Sequence, residues 1–415
     1  MGNSESSVYR LKGIIRNYDW GGVEFLSKLL SHANPKHEPM AEFWLGAHDS
    51  ASSILITAKD EITLHEFIQN DKEKILGKTV AKKFGRLPFL LKILDVRDML
   101  SIQVHPAKHE AEIEFARENK EKIPLNAAHR NYKDDNHKPE LMVALGDFWL
   151  LHGFKPVDKL RTTLADISEL KPLLEIFDAT GYDQLYKTVM EMPQESVNQL
   201  LNPLLQRIVP MYRDGQLKKD DENFWAARAS LTFDGKDSPG SPRKIDRGIF
   251  SVYFFNLLFL KAGEGIFQDA GVPHAYLEGQ YVEIMANSDN VLRGGLTNKH
   301  VDVKELMKHI KFEETIPNIL HPEKVGAGEK LYRTGAPDFK LSSFSLQKGK
   351  TSSFQSASAE IVLVINGDVR IGNGTNDVQL QGGQAAFIPN GQSVHLKAHS
   401  DSYLFRASVP VHSGE

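Results

Sequence analysis

Hydrophobic and polar positions repeat with two different periods along this chain, and the changes of period divide it. Apolar runs of strand length occur early: "RLPFLLKILD" at 86–95, "MLSIQV" at 99–104 and "ELMVAL" at 140–145 read as buried strands. After His105-Pro106 the segment "AKHEAEIEFARENKEK" predicts a polar helix, starting where proline suits an N-terminus. Thr63-Leu-His-Glu66 and Asp302-Val-Lys-Glu305 carry capping spacing and predict two more helix starts. From Pro156 to about 240 the period becomes helical: Val197, Leu200, Leu201, Leu204, Leu205 and Ile208 share a face, with Pro203 a predicted kink. "FDGKDSPGSPRKIDRG" at 233–248, rich in turn formers, is the predicted exit loop of this helical insertion. Strand character returns from roughly 257 to 297. From about 330 onward short β-runs separated by Gly and Asn turns predict a β-sandwich or small barrel. No internal repeat and no low-complexity segment is apparent.

Composition narrows the class. The 415 residues suffice for two or three domains with sizeable cores, and 41% hydrophobic content excludes global disorder. A formal net charge of −4 gives no electrostatic footprint for nucleic acid. The absence of cysteine removes disulfides and thiolate metal sites and fits a reducing, cytoplasmic compartment. Any metal must be held by His, Asp, Glu, Asn or Gln. "MGNSESSVYR" lacks the apolar region of a secretory signal; it matches M-G-x-x-x-S, a pattern short enough to arise by chance. The longest apolar run, "GIFSVYFFNLLFL" at 248–260, is shorter than a membrane span and holds Ser251 and Asn256, so it predicts core. A monomer that meets neither nucleic acid nor membrane is the expectation.

Four stretches then carry chemistry. In "YKDDNHKPEL" at 132–141, Pro139 pushes Lys138 toward extended geometry, so Glu140 enters a strand beside a lysine and a histidine. A solvated loop is the plainer explanation of such a stretch. In "MLSIQVHP" alternation puts Ser101, Gln103 and His105 on one face, opposite Leu100, Ile102 and Val104. In "DAGVPHAYLEG" at 269–279, His274 follows a tight Gly-x-Pro turn that fixes its ring. Two imidazoles, one amide oxygen and one carboxylate make a plausible zinc site that keeps Lewis acidity. In "YVEIMANSDNVLRGGLTNKHVDV", Glu283 lies mid-strand among apolar residues, a costly place for an unpaired charge. Asp289, Arg293 and Lys299 follow, and the two cations could hold an anion or simply salt-bridge their loop.

Together these pieces closely resemble type I phosphomannose isomerase. The resemblance runs from "NYDWGG" at 17–22 and "MAEFWLGAH" at 40–48 through "LPFLLKILDVRDMLSIQVHP", "DDNHKPEL", "GVPHAYLEG" and "NSDNVLRGGLT". It implies a mainly β fold: a catalytic cupin jelly roll (1–155 and 246–325), a helical insertion (156–245) and a metal-free C-terminal cupin (326–415). It implies one zinc ion per chain, held by Gln103, His105, Glu140 and His274. Catalytic work would fall to Lys138, Glu283, Asp289 and Arg293, and substrate binding to Ser101 and Lys299. Glu42 and Asp19-Trp20 match pocket positions of the family. Gly294 stands where alanine is usual, Asn298 where proline often precedes the lysine, and Phe43 where leucine is usual. In the C-terminal half Glu360 and Gly367 keep an E-x6-G cupin spacing, but "FQSASA" replaces the paired histidines, leaving His395 as a core or surface residue.

The activity implied is interconversion of mannose 6-phosphate and fructose 6-phosphate, with a proton moved between C2 and C1 by Lys138, Glu283 or Asp289. Two alternatives stand beside it. Another metal-dependent cupin enzyme, such as an iron dioxygenase, would use two histidines and a carboxylate, and Gln103 counts against it. A non-enzymatic sugar-phosphate-binding cupin need not retain Lys138 and Glu283. Trp44 and Trp149 are expected in the core, and His48, His109 and His152 have no evident partner.

Overall fold

The computed structural model describes residues 8–57, 60–234, 244–375 and 377–411. The Met1–Ser6 pattern lies outside them, as do residues 235–243 of the predicted exit loop. Four strands build the wall that matters for chemistry: β1 (Glu42–His48), β2 (Phe89–Val96), β3 (Glu140–Ala144) and β4 (His274–Ala286). Every residue of β1, β2 and β3 is buried, because this sheet is covered on both faces. Strand β4 is the hub. Its first half pairs with Phe148–Phe154 and its second half with both β2 and β3.

Strict alternation sorts these side chains. Phe43, Leu45, Leu91, Ile93, Leu141, Val143, Val282 and Ile284 point away from the site, into one cluster with Ile361, Leu363, Phe405 and Ala407 of the C-terminal strands. The two β-units therefore sit back to back. The opposite face carries Glu42, Trp44, Lys92, Glu140 and Glu283, and a register slip of one residue would bury these charges in the apolar cluster. The N-terminal strand Tyr9–Lys12 crosses over to pair with Ala385–Ile388, so the chain's start extends the C-terminal sheet.

Residues 157–233 are mostly helical, as their periodicity predicts. Leu201, Leu204, Leu205 and Ile208 are buried in one cluster with Trp225 and residues of the short helix Ile249–Phe254. The sharp break in this block lies at Gly181 (φ 76°) in helix α1 (Lys171–Glu191), a conformation open to a residue without Cβ. Pro203 instead sits inside a helix, Gln194–Arg213, that continues through it. Both capping signals are realised: Thr63 accepts from the Glu66 N–H, and Asp302 from the Glu305 N–H. The predicted strand at 99–104 shrinks to Gln103–Val104. Before it the bonding is irregular, with Leu100 N–H donating to the Tyr276 carbonyl and Ile102 N–H to that of Gly295.

In the C-terminal unit, strands such as Glu360–Asn366, Asp368–Gly372 and Ser402–Ser408 face one another across Val362, Val364, Val369, Ile371 and Leu404. Glu360, the carboxylate of the E-x6-G spacing, is engaged by the Arg406 guanidinium at 2.5 and 2.8 Å. A buried side-chain cation is thus the charge partner of that carboxylate. His395 is exposed.

Candidate active site

The metal-ligand candidates converge. One ligand atom each from His105, Glu140 and His274 lies within 4.8 Å of the others, and all three residues are buried. His105 and His274 direct their Nε2 atoms at the Glu140 carboxylate, at 3.2 and 3.5 Å. Their tautomers follow from the other nitrogen. His105 Nδ1–H donates to the Asn290 carbonyl at 2.8 Å, and His274 Nδ1–H to that of Val272 at 3.0 Å. Each Nε2 therefore presents a lone pair, and each is buried without a hydrogen-bond partner. Burial, then the nearby Lys138 charge, lowers the His105 pKa to about 4, so the ring is neutral and able to ligate near pH 7. Burial raises the Glu140 carboxyl, but the Lys138 charge beside it outweighs burial and holds the group well below the usual carboxylate range. Anionic oxygen between two bare imidazole nitrogens fits zinc. Gln103 lies directly across the strand pairing from His274. Behind Glu140, the Tyr276 hydroxyl donates to its Oε2 at 3.2 Å.

Lys138 reaches the same carboxylate, its Nζ 2.9 Å from Glu140 Oε1. Glu283 stands one strand away, and its charge has a partner that the sequence reading missed. Lys92 Nζ is 2.9 Å from Glu283 Oε2 and 3.8 Å from Glu42 Oε2. Burial works against the Lys92 ammonium, but Glu283, Glu42 and Glu140 outweigh it and raise its pKa. The signal was legible: a lysine in the middle of "FLLKILDV" needs an anion. Trp44 is buried as expected, yet it belongs to this wall, donating to Glu42 and lying beneath the Lys92 ammonium at 5.1 Å.

At the mouth the loop holding Lys133 to Lys138 is tied to the loop after β4. Asp134 accepts from the Ser288 hydroxyl and the Asp289 N–H at 2.8 and 2.7 Å. Asn290 donates to the carbonyls of Asp134 and Asn136. Asp289 is half-exposed, with His48 Nε2 3.6 Å from its carboxylate, so His48 does have a neighbour of consequence. The Ser50 N–H donates to His48 Nδ1, which leaves the ring proton on Nε2, facing Asp289. His152 is likewise partnered, with Gln268 at 2.8 Å. The carbonyls of Asp19 and Trp20 accept from Arg97 and Asp98, and the Trp20 ring packs beside Tyr18 and against the cluster that holds Tyr276.

Arg293 pairs across from Gln103, which brings the cation-bearing loop beside the segment that holds Ser101, Gln103 and His105. Among the described residues, neither Arg293 nor Lys299 has an ion-pair partner within 4 Å, so the salt-bridged-loop alternative finds no support there. Gly294 also has a physical reason. A Cβ there would lie 2.8 Å from the Tyr186 hydroxyl and 2.9 Å from Ile102 Cγ2.

Residues 8–157 match the family model for the catalytic domain of type I phosphomannose isomerase. The mannose-6-phosphate isomerase of Escherichia coli strain K12 is 38% identical over 399 residues, covering 94% of this chain and 97% of that protein. The mannose-6-phosphate isomerase of Mus musculus is 33% identical over 437 residues, covering 96% and 98%. The crystal structure of mannose 6-phosphate isomerase from Salmonella typhimurium, bound to its substrate fructose 6-phosphate and to zinc, is 33% identical with a TM-score of 0.86, covering 98% of this chain and 100% of that one. Likeness in sequence and in structure extends through both β-units and the helices between them, and the chain belongs to the type I phosphomannose isomerase family.

Proposed function

We propose that this protein interconverts mannose 6-phosphate and fructose 6-phosphate. The observation that carries the reading is the pair of buried, unpartnered Nε2 lone pairs aimed at one carboxylate, beside two cations that have no ion-pair partner among the described residues. Gln103, His105, Glu140 and His274 would hold zinc, which when bound supplies positive charge that stabilises oxyanion character on the substrate's O1 and O2. Arg293, Lys299 and Ser101 grip the phosphate, Arg293 by its planar fork and Lys299 as a point charge.

The remaining residues handle the proton. Transfer between C2 and C1 through an enediol needs a group that takes a proton and returns it within one turnover. Glu283, sharing a buried pair with Lys92, stands in the pocket wall, shielded from solvent, which favours return of the same proton. Lys138 neutralises Glu140 and stabilises charge on the sugar oxygens. Asp289, at the half-exposed mouth and faced by the His48 N–H, is placed for ring opening. Among the described residues no helix is long and apolar enough to cross a membrane, and a cytoplasmic monomer without disulfides belongs to the same reading.

A coupled assay for fructose 6-phosphate formed from mannose 6-phosphate tests it. Lys138→Ala and Glu283→Gln should each lower kcat by about two decades, with a smaller change in KM. Near-normal kcat with only KM raised would make them binding residues and overturn the assignment.

A further inference from the structure

The segment that carries Arg293 and Lys299 is held in an unusual backbone path. Gly295 has φ 111° and Leu296 has φ 53°, the latter a left-handed conformation that a branched residue rarely adopts without support. One side of the support is the irregular segment before Gln103–Val104, where the Gly294 N–H donates to the Ile102 carbonyl at 2.9 Å. The other side is a single carboxylate that follows the helical insertion. Asp246 Oδ1 accepts from the Leu296 N–H at 2.8 Å and the Gly248 N–H at 2.7 Å, and Oδ2 accepts from the Thr297 N–H at 3.1 Å. Thr297 Oγ1 in turn accepts from the Lys299 N–H at 3.1 Å. Bonded contacts therefore run from Asp246 through the turn to Lys299. Gly248 lets the two backbones meet: a Cβ there would stand 2.5 Å from the Leu296 nitrogen.

We propose that Asp246 is the positioning residue of the phosphate grip, fixing the spacing of Arg293 and Lys299 through these backbone N–H groups and so setting the preference for phosphorylated sugars. The inference rests on the assignment of Arg293 and Lys299 to the phosphate. Its sign is distinctive. A carboxylate near an anion site repels the anion, so if charge were its only influence, its removal would tighten phosphate binding. A positional role predicts the reverse, because the two cations lose their common geometry when the turn relaxes.

The test measures kcat, KM for mannose 6-phosphate and competitive inhibition by inorganic phosphate in the zinc-loaded enzyme carrying Asp246→Ala, Asp246→Asn or Arg293→Ala. For Asp246→Ala, KM and the phosphate inhibition constant should rise about tenfold, with kcat within about threefold of the parent. Asp246→Asn keeps an oxygen for Gly248 and Leu296 but turns an amide nitrogen on Thr297, so it should restore most of the loss and leave a rise of about two- to threefold. Unchanged constants in Asp246→Ala, with both raised in Arg293→Ala, would overturn the inference and leave the phosphate assignment standing. Unchanged constants in Arg293→Ala would mean that the assignment itself fails. Should Asp246→Ala not fold, Asp246→Asn decides alone: raised constants support the positional role, and unchanged or lowered ones overturn it.

Discussion

Lys92 and Glu283 occupy directly paired positions on β2 and β4, and their charged atoms meet at 2.9 Å inside the wall of the active site. Taking one away strands the other. Deleting a single partner of a buried ion pair typically costs about 3–5 kcal/mol, whereas replacing both with apolar groups is close to neutral. Lys92→Met should therefore lower the stability read from urea unfolding by roughly 3 kcal/mol. Adding Glu283→Leu should recover most of that stability while activity stays lost. A Lys92→Met protein as stable as the parent would show that Glu283 does not depend on this partner.

Gly294 makes a second test. The Tyr186 hydroxyl that a Cβ at 294 would strike is buried, so it has little room to move aside. Gly294→Ala should destabilise the protein by about 1–3 kcal/mol through overpacking. Tyr186→Phe removes the hydroxyl and should return part of that loss, the remainder reflecting Ile102 Cγ2 at 2.9 Å. Thermal unfolding of the two single variants and the double variant measures the coupling. Additive effects would mean that the hydroxyl is not the obstacle.

Acid should loosen the loop that carries Lys138. Tyr132, at the start of that loop, donates its hydroxyl to Glu305 at 2.7 Å, and Lys308 adds a bond at 2.8 Å. Burial raises the Glu305 pKa, but bonds from His309, Lys308 and Tyr132 outweigh it and bring it from 4.5 down to about 2. A carboxyl depressed in the folded state contributes stability that is complete above its unfolded value and lost as pH falls through the folded one. The stability difference between the parent and Glu305→Gln should thus be constant above about pH 5 and shrink toward about pH 2. A difference that does not change across that window would remove Glu305 as the anchor.

Much of this arrangement is legible along the chain, for identifiable reasons. Strand alternation and the Pro139 constraint place Glu140 in a strand, because both are local backbone effects. Helical spacing from Val197 to Ile208 reads directly as a buried face. What escapes is partnership across long separations. Lys92 and Glu283 are 191 residues apart, and only the β2–β4 register makes them neighbours. Asp246 looks like one more turn residue until the backbone N–H groups it serves are known. The facing of His48 to Asp289 and of His152 to Gln268 escapes the sequence, because those partners reach the rings through the fold. The pairing at Gln103–Val104 is shorter than the apolar run predicts, because such a run does not reveal that the Leu100 and Ile102 N–H groups donate irregularly to the Tyr276 and Gly295 carbonyls.

We propose that turnover depends on a zinc ion held by His105, Glu140 and His274 with Gln103. Metal analysis of the purified protein, joined to the coupled mannose 6-phosphate assay before chelation, after chelation and after zinc is returned, tests it most directly. One zinc ion per chain, loss of activity on chelation and its recovery with zinc are expected, with Glu140→Gln and His274→Ala failing to retain the ion. Full activity in metal-free protein, or one tightly held zinc in both variants, would contradict it.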